Sequence, residues 1–196
     1  MKPPIPRRRL LAIGGVLAAL GALAGVLAAW SAASPRSKPV LATYRNSFVT
    51  FQYPSAWSTS VWKSSVLHFD PMVYLSTQST RNPCRTTGTS TTCGWPVERL
   101  AHGGVVLRWE NRGYPGTSVA SFPGSPASIG GRSAKLSTQR PGSCGSLGAD
   151  ETISVAIARP MAGNWTAVDA CLRGPNLAEG ERQVRALLSS ARFLAP

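Results

Sequence analysis

Residues 10–29 carry no charge at all: six Leu, seven Ala, four Gly, two Val and one Ile follow directly on Arg7-Arg8-Arg9. A helix rises about 1.5 Å per residue, so this run is long enough to cross the roughly 30 Å hydrocarbon core of a bilayer. The sequence therefore divides into a basic stub at 1–9, a transmembrane or signal segment at 10–30, a Ser/Pro/Lys linker at 31–43 and a domain at 44–196. Arginines flanking an apolar span stay on the cytosolic side, which sends the domain out of the cytosol.

Three export routes fit this start. An uncleaved signal anchor is favoured because the run exceeds the usual core of a cleavable signal. A cleaved Sec signal has its cut before Ser34, after the small residues Ser31-Ala32-Ala33. A twin-arginine signal matches Pro6-Arg7-Arg8-Arg9-Leu10-Leu11, with Pro6 in place of the usual Ser or Thr. With no Cys near residue 30, a lipoprotein anchor is excluded. Within the span, Gly14, Ala18, Gly21 and Gly25 form a small-residue stripe of the kind that lets two helices pack closely. Any span half made of Ala and Gly carries such a stripe, so a homodimer through it is one reading beside a purely compositional one.

The formal net charge is +13, but residues 1–40 contain six basic residues and no acid. The remainder holds fifteen basic against eight acidic residues, and only two of the fifteen are Lys. So strong a preference for Arg reflects coding composition as much as a binding surface; as a surface on an exported domain it would suit anionic lipid or wall polymer rather than nucleic acid.

Beyond the linker, strand signals dominate. Phe48-Val49-Thr50-Phe51-Gln52-Tyr53 is β-branched and aromatic and stops at Pro54. Further strands are expected at 61–69, 72–78, 105–110 and 134–138. Asp70-Pro71 divides the first two of these, residues 79–103 form a polar loop, and Gly130-Gly131 makes a hairpin turn. Ile153, Val155 and Ile157 alternate with Thr152, Ser154 and Ala156, predicting a half-buried strand that turns at 162–164 and pairs antiparallel with 165–172. Asn176-x-x-Glu179 resembles a helix capping box, and Val184, Leu187, Leu188 and Ala191 lie on one helical face. The fold class is α+β, mostly antiparallel sheet with a C-terminal helix packed on it.

Four cysteines outside the cytosol are expected as disulfides. Of three possible pairings, Cys84–Cys93 and Cys144–Cys171 are favoured, each worth roughly 3 kcal/mol through restriction of the unfolded chain. The nine-residue spacing of the first pair is unlike a zinc motif, and no metal or other cofactor is expected.

Signals for catalysis are poor. There is no Gly-x-Ser-x-Gly elbow, phosphate loop or carboxylate pair at a telling spacing. His102 or His68 could serve an envelope hydrolase or transpeptidase, with Cys171 as a nucleophile, but that use would strand Cys144. The expectation is a non-catalytic module that binds an envelope protein or an anionic wall or lipid component. Trp95, Arg81 and Arg85 are its candidate exposed contacts.

Phe48 to Trp57, ending in Tyr53-Pro54-Ser55-Ala56-Trp57, resembles the opening of PsbP/Mog1-like domains. Val66-Leu67-His68-Phe69-Asp70-Pro71 is similar to that family's next strand, and residues 184–193 to its C-terminal helix and Ser-x-Arg-Phe ending. The resemblance implies an α-β-α sandwich around a twisted antiparallel sheet, in proteins that act as binding or assembly factors without shared catalytic residues.

Overall fold

A computed structural model describes residues 39–62, 69–161 and 163–194, without the side chains of 69–72. The segment 10–30, its stripe Gly14, Ala18, Gly21 and Gly25, residues 63–68 of the strand expected over 61–69, and His68 all lie outside the described residues. Among the described residues, no helix is long and apolar enough to cross a membrane.

The described residues form twelve strands and one α-helix in the order β1 (Leu41–Arg45), β2 (Val49–Pro54), β3 (Ser58–Ser60), β4 (Phe69–Ser76), β5 (Cys84–Thr87), β6 (Ser90–Cys93), β7 (Val105–Gly113), β8 (Ser125–Ile129), β9 (Arg132–Gln139), β10 (Glu151–Ala158), β11 (Asn164–Leu172), α1 (Leu177–Ser190) and β12 (Arg192–Phe193). The central sheet runs β3-β4-β7-β11-β10-β9-β8, a smaller sheet runs β1-β2-β12, and β5-β6 stand apart. Every pairing is antiparallel. The class is the α+β, mostly antiparallel one expected from the sequence, with the helix at its C-terminal end.

Side-chain alternation assigns one face of the central sheet to the main core. Leu75, Leu107, Trp109, Val168, Ala170, Ile153 and Ile157 point toward β2 and α1 and are almost wholly buried. Aromatic stacking carries this layer outward: Trp109 lies on Phe51 at 4.8 Å between ring centroids, and Phe51 on Tyr44 at 5.0 Å. The helix contributes Val184, Leu187, Leu188 and, just past its end, Ala191, all buried. Full burial of a Val or Leu side chain is worth about 1.5–3 kcal/mol, so this stripe holds the helix in place. Gly180 permits the close approach, because a Cβ there would stand 2.9 Å from the Leu172 side chain.

The far face of the sheet is covered differently. Residues 95–100 and a 3-10 turn at Gly142–Leu147 fold over one end, burying Val97, Leu100, Val106 and Leu147. A second 3-10 turn, Val119–Ser121, leads Phe122 onto Trp165 at the other. Both favoured disulfides are formed. Cys84–Cys93 closes the open end of the β5-β6 hairpin, and Cys144–Cys171 bolts the 142–147 turn to β11.

Several local expectations are corrected. The 79–103 loop contains the β5-β6 hairpin, whose wholly polar strands give no hydrophobic alternation to read. Asp70-Pro71 does not divide two strands. β4 runs through it, with the register shifting between Pro71 and Val73, where proline lacks a ladder N–H. β1 begins inside the stretch read as linker, and β8, an edge strand holding Pro126, was not anticipated. Asn176 precedes the helix, but its side chain makes no capping hydrogen bond.

Candidate functional site

On the far face, the register places Tyr74 of β4, Arg108 of β7, Asp169 of β11, Ser154 of β10 and Ser137 of β9 in one line across five strands. Glu110 and Arg112 continue the same face of β7. Arg108 Nη2 donates to Asp169 Oδ2 at 2.9 Å, and Ser154 Oγ donates to Asp169 Oδ1 at 2.8 Å. Arg112 pairs with Glu110 and reaches Asp169 at 3.5 Å, while Arg108 Nε stands 3.4 Å from Glu110 Oε1. Two guanidiniums and two carboxylates thus share one network. The Arg108 guanidinium also stacks on Trp95, 4.7 Å from its ring centroid.

Glu110 is the unusual member. Its side chain is wholly buried, and among the described residues Oε2 has no hydrogen-bond partner. Burial pushes its carboxyl up to about 7, outweighing the pull of Arg108 and Arg112 toward ionisation. Burial likewise raises the Tyr74 hydroxyl to about 12. For Arg108, burial opposes the charge, but the Glu110 and Asp169 carboxylates more than offset it and its pKa is raised. The network therefore gains positive character as Glu110 takes up a proton near neutral pH.

Beside the network opens a cavity of about 190 Å³. Ala156 and Ala167 make its floor, where larger side chains would close it. Trp165, Phe122 and Pro123 form an apolar wall, and Ser137, Ser154 and Asp169 a polar one. Arg112 and Lys135 bring positive charge to the same space. Pockets for drug-sized ligands start at about 300 Å³, so this one suits a small headgroup or side chain.

The residues singled out from the sequence are dispersed. Trp95 is half-buried and turned onto Arg108. Arg81 is exposed and paired with Glu98, along a groove formed by residues 78–81 and 96–99. Arg85 stands exposed on β5. Among the described residues, no hydrogen bond or ion pair joins these three. His102 is exposed, its Nε2 standing 3.3 Å from the Arg173 guanidinium. All four cysteines are bonded, so Cys171 offers no thiolate. Among the described residues, no three His, Cys, Asp or Glu side chains gather as a metal site.

No family model and no curated protein matches the chain.

Sequence reasoning passed over the Arg108-x-Glu110-x-Arg112 alternation, reading 105–110 simply as a strand. Charges at every second residue ordinarily mark a solvated sheet face. The missed signal was their company: Asp169 stands on the neighbouring strand, and Cys144 and Cys171 bind a covering turn to the same face.

Proposed function

We propose that the chain is a non-catalytic, extracytoplasmic binding module for an anionic component of the cell envelope. The cavity lined by Arg112, Lys135, Trp165 and Phe122 takes the anionic group together with its apolar neighbour. The observation that carries this reading is the pairing of cations with an aromatic wall over an alanine floor, next to a buried network that fixes Arg112 in place. Arginine is suited to this work because its planar fork holds carboxylate and phosphate by paired hydrogen bonds.

Two disulfides favour an oxidising compartment, and Arg7-Arg8-Arg9 before the apolar run favours anchoring with the N-terminus inside. The likeness to PsbP/Mog1-like domains supports the same reading. In that view β2 running to buried Trp57, and α1 running to Phe193, are the family's opening strand and closing helix.

The test is ligand-observed NMR on the full chain, using small aromatic and branched aliphatic carboxylates beside their neutral amides. Saturation transfer to the carboxylates, weaker transfer to the amides and loss of transfer in Lys135→Glu are expected. Equal transfer to both series, or transfer unaffected by Lys135→Glu, overturns the assignment.

A further inference from the structure

Arg132 opens β9 immediately after the Gly130-Gly131 turn, and Arg159 follows the last residue of β10. The β9–β10 register pairs Ala134 with Ile157. Continued by two residues in this antiparallel pair, it sets Arg132 directly opposite Arg159, both on the face that carries the main core. Like charges at directly opposite positions repel, and sheets ordinarily place an acid in one of them. Here neither arginine has one: among the described residues, no ion pair includes Arg132 or Arg159. Arg132 Nη1 and Arg159 Nε are buried and make no hydrogen bond. Buried polar groups are nearly always bonded, and buried charges nearly always paired.

The two guanidiniums rest on an aromatic shelf. Arg132 lies 4.0 Å from the ring centroid of Phe193 and 5.1 Å from that of Phe48, and Arg159 lies 4.7 Å from that of Phe48. The rings meet edge to face with centroids 5.5 Å apart. Their backbone is held on three sides. Leu194 N donates to Phe48 O at 2.8 Å, Phe48 N donates to Asn46 Oδ1 at 2.8 Å, and Phe193 pairs with Val49. The Gly130 turn presses on the shelf so closely that a Cβ there would stand 2.8 Å from the Phe193 ring. Both arginines are half-exposed, so each guanidinium keeps an edge open to an acceptor beyond the rings. Burial lowers the pKa of both arginines, and the Arg159 charge lowers that of Arg132 further.

We propose that Arg132 and Arg159 form a binding site for a phosphate-type oxyanion, which bridges the two guanidiniums over the Phe48–Phe193 shelf. A tetrahedral oxyanion offers acceptors in more than one direction and a negative charge to each cation. It supplies acceptors to the part-exposed edges of both guanidiniums and cancels the repulsion between them. Because the shelf fixes both side chains beforehand, little ordering is left for the binding step. This site uses neither Arg112 nor Lys135 and does not rest on the cavity reading above. Free phosphate and a phosphate-ester headgroup present the same chemistry to it.

The test uses the full chain, with thermal unfolding followed by tryptophan fluorescence in sodium chloride and in sodium phosphate at matched ionic strength. Phosphate is expected to raise Tm saturably above the chloride value, as mass action requires of a ligand that binds only the folded state. Arg132→Gln and Arg159→Gln abolish that rise, and Arg185→Gln on the exposed side of α1 keeps it. Independently of any variant, the Arg159 side-chain Nε–H resonance is expected to shift on adding phosphate. Flotation with phosphatidylglycerol vesicles in excess of that with phosphatidylcholine separates the sources: an excess that needs both arginines assigns a lipid headgroup, and a phosphate effect with equal flotation on the two lipids assigns the free oxyanion. The proposal is overturned if phosphate and chloride act alike and the two lipids float the chain equally. A phosphate rise that survives in both Gln variants overturns it equally.

Discussion

Replacing Glu110 by Gln tests the buried network through its linkage to pH. The carboxyl ordinarily titrates at 4.5 and is pushed up to about 7 in the folded chain by burial. Between those values the folded protein holds a proton that the unfolded chain has released. Stability from this group is therefore fully present below 4.5 and is lost as pH rises through 7. A shift of that size couples ionisation to folding by about 3 kcal/mol, at about 1.4 kcal/mol for each pH unit. Glu110→Gln removes the titration while keeping the shape and one acceptor for Arg112. In urea unfolding of the full chain followed by circular dichroism, the difference between wild type and variant isolates this group. The variant is expected to match the wild type near pH 4 and to exceed it near pH 8, by up to about 3 kcal/mol. A wild type that gains on the variant as pH rises would refute the reasoning. It would mean that Arg108 and Arg112 stabilise the carboxylate more than burial penalises it.

Other substitutions probe the packing that holds the site. Trp109→Ala removes a wholly buried ring stacked on Phe51 and is expected to cost about 3–5 kcal/mol in chemical unfolding. Gly180→Ala gains about 1 kcal/mol of helix propensity but drives a methyl into Leu172, itself buried, at a cost of about 1–3 kcal/mol. The net change is a loss of Tm, whereas a gain would show that α1 can back away from β11. The two disulfides should differ in reach. Cys144→Ser with Cys171→Ser breaks a wholly buried bond and is expected to lower stability by about 2–5 kcal/mol. Cys84→Ser with Cys93→Ser loosens an exposed hairpin, so limited proteolysis should detect new cleavage within 84–93 while the main unfolding transition moves less.

How far the fold could be read in advance follows the burial of each element. β10 was legible because apolar and small polar residues alternate along it, and α1 because its apolar residues recur at helical spacing; but β10 is not the half-buried strand expected, since Thr152 and Ala156 on its far face are buried as well. Gly130-Gly131 marked its turn because both residues take positive φ, which side chains resist. Strands without that contrast were invisible: β5 and β6 are polar on both faces and owe their pairing to Cys84–Cys93 and a tight turn at Gly88. The Arg108–Glu110–Arg112–Asp169 network was hidden for a different reason. Whether alternating charges face water or protein depends on residues 95–100 and 142–147 folding over the far face, an event distant in sequence. The cavity is likewise a consequence of register, since Ala156 and Ala167 become a floor only when β10 and β11 pair them. Register also makes neighbours of Arg132 and Arg159, which looked unrelated in the chain.

The most direct measurement of the central claim is photo-crosslinking from the cavity in cells. Benzoylphenylalanine in place of Phe122, at the apolar wall of the cavity, is expected to capture an anionic envelope component, identified by mass spectrometry of the adduct. Yield should fall in the Lys135→Glu background and stay low from a control position such as Val61, which is exposed just past β3 at the opposite edge of the central sheet. Equal capture from Val61, or capture from Phe122 that ignores Lys135→Glu, would contradict the account and move the binding surface away from this cavity.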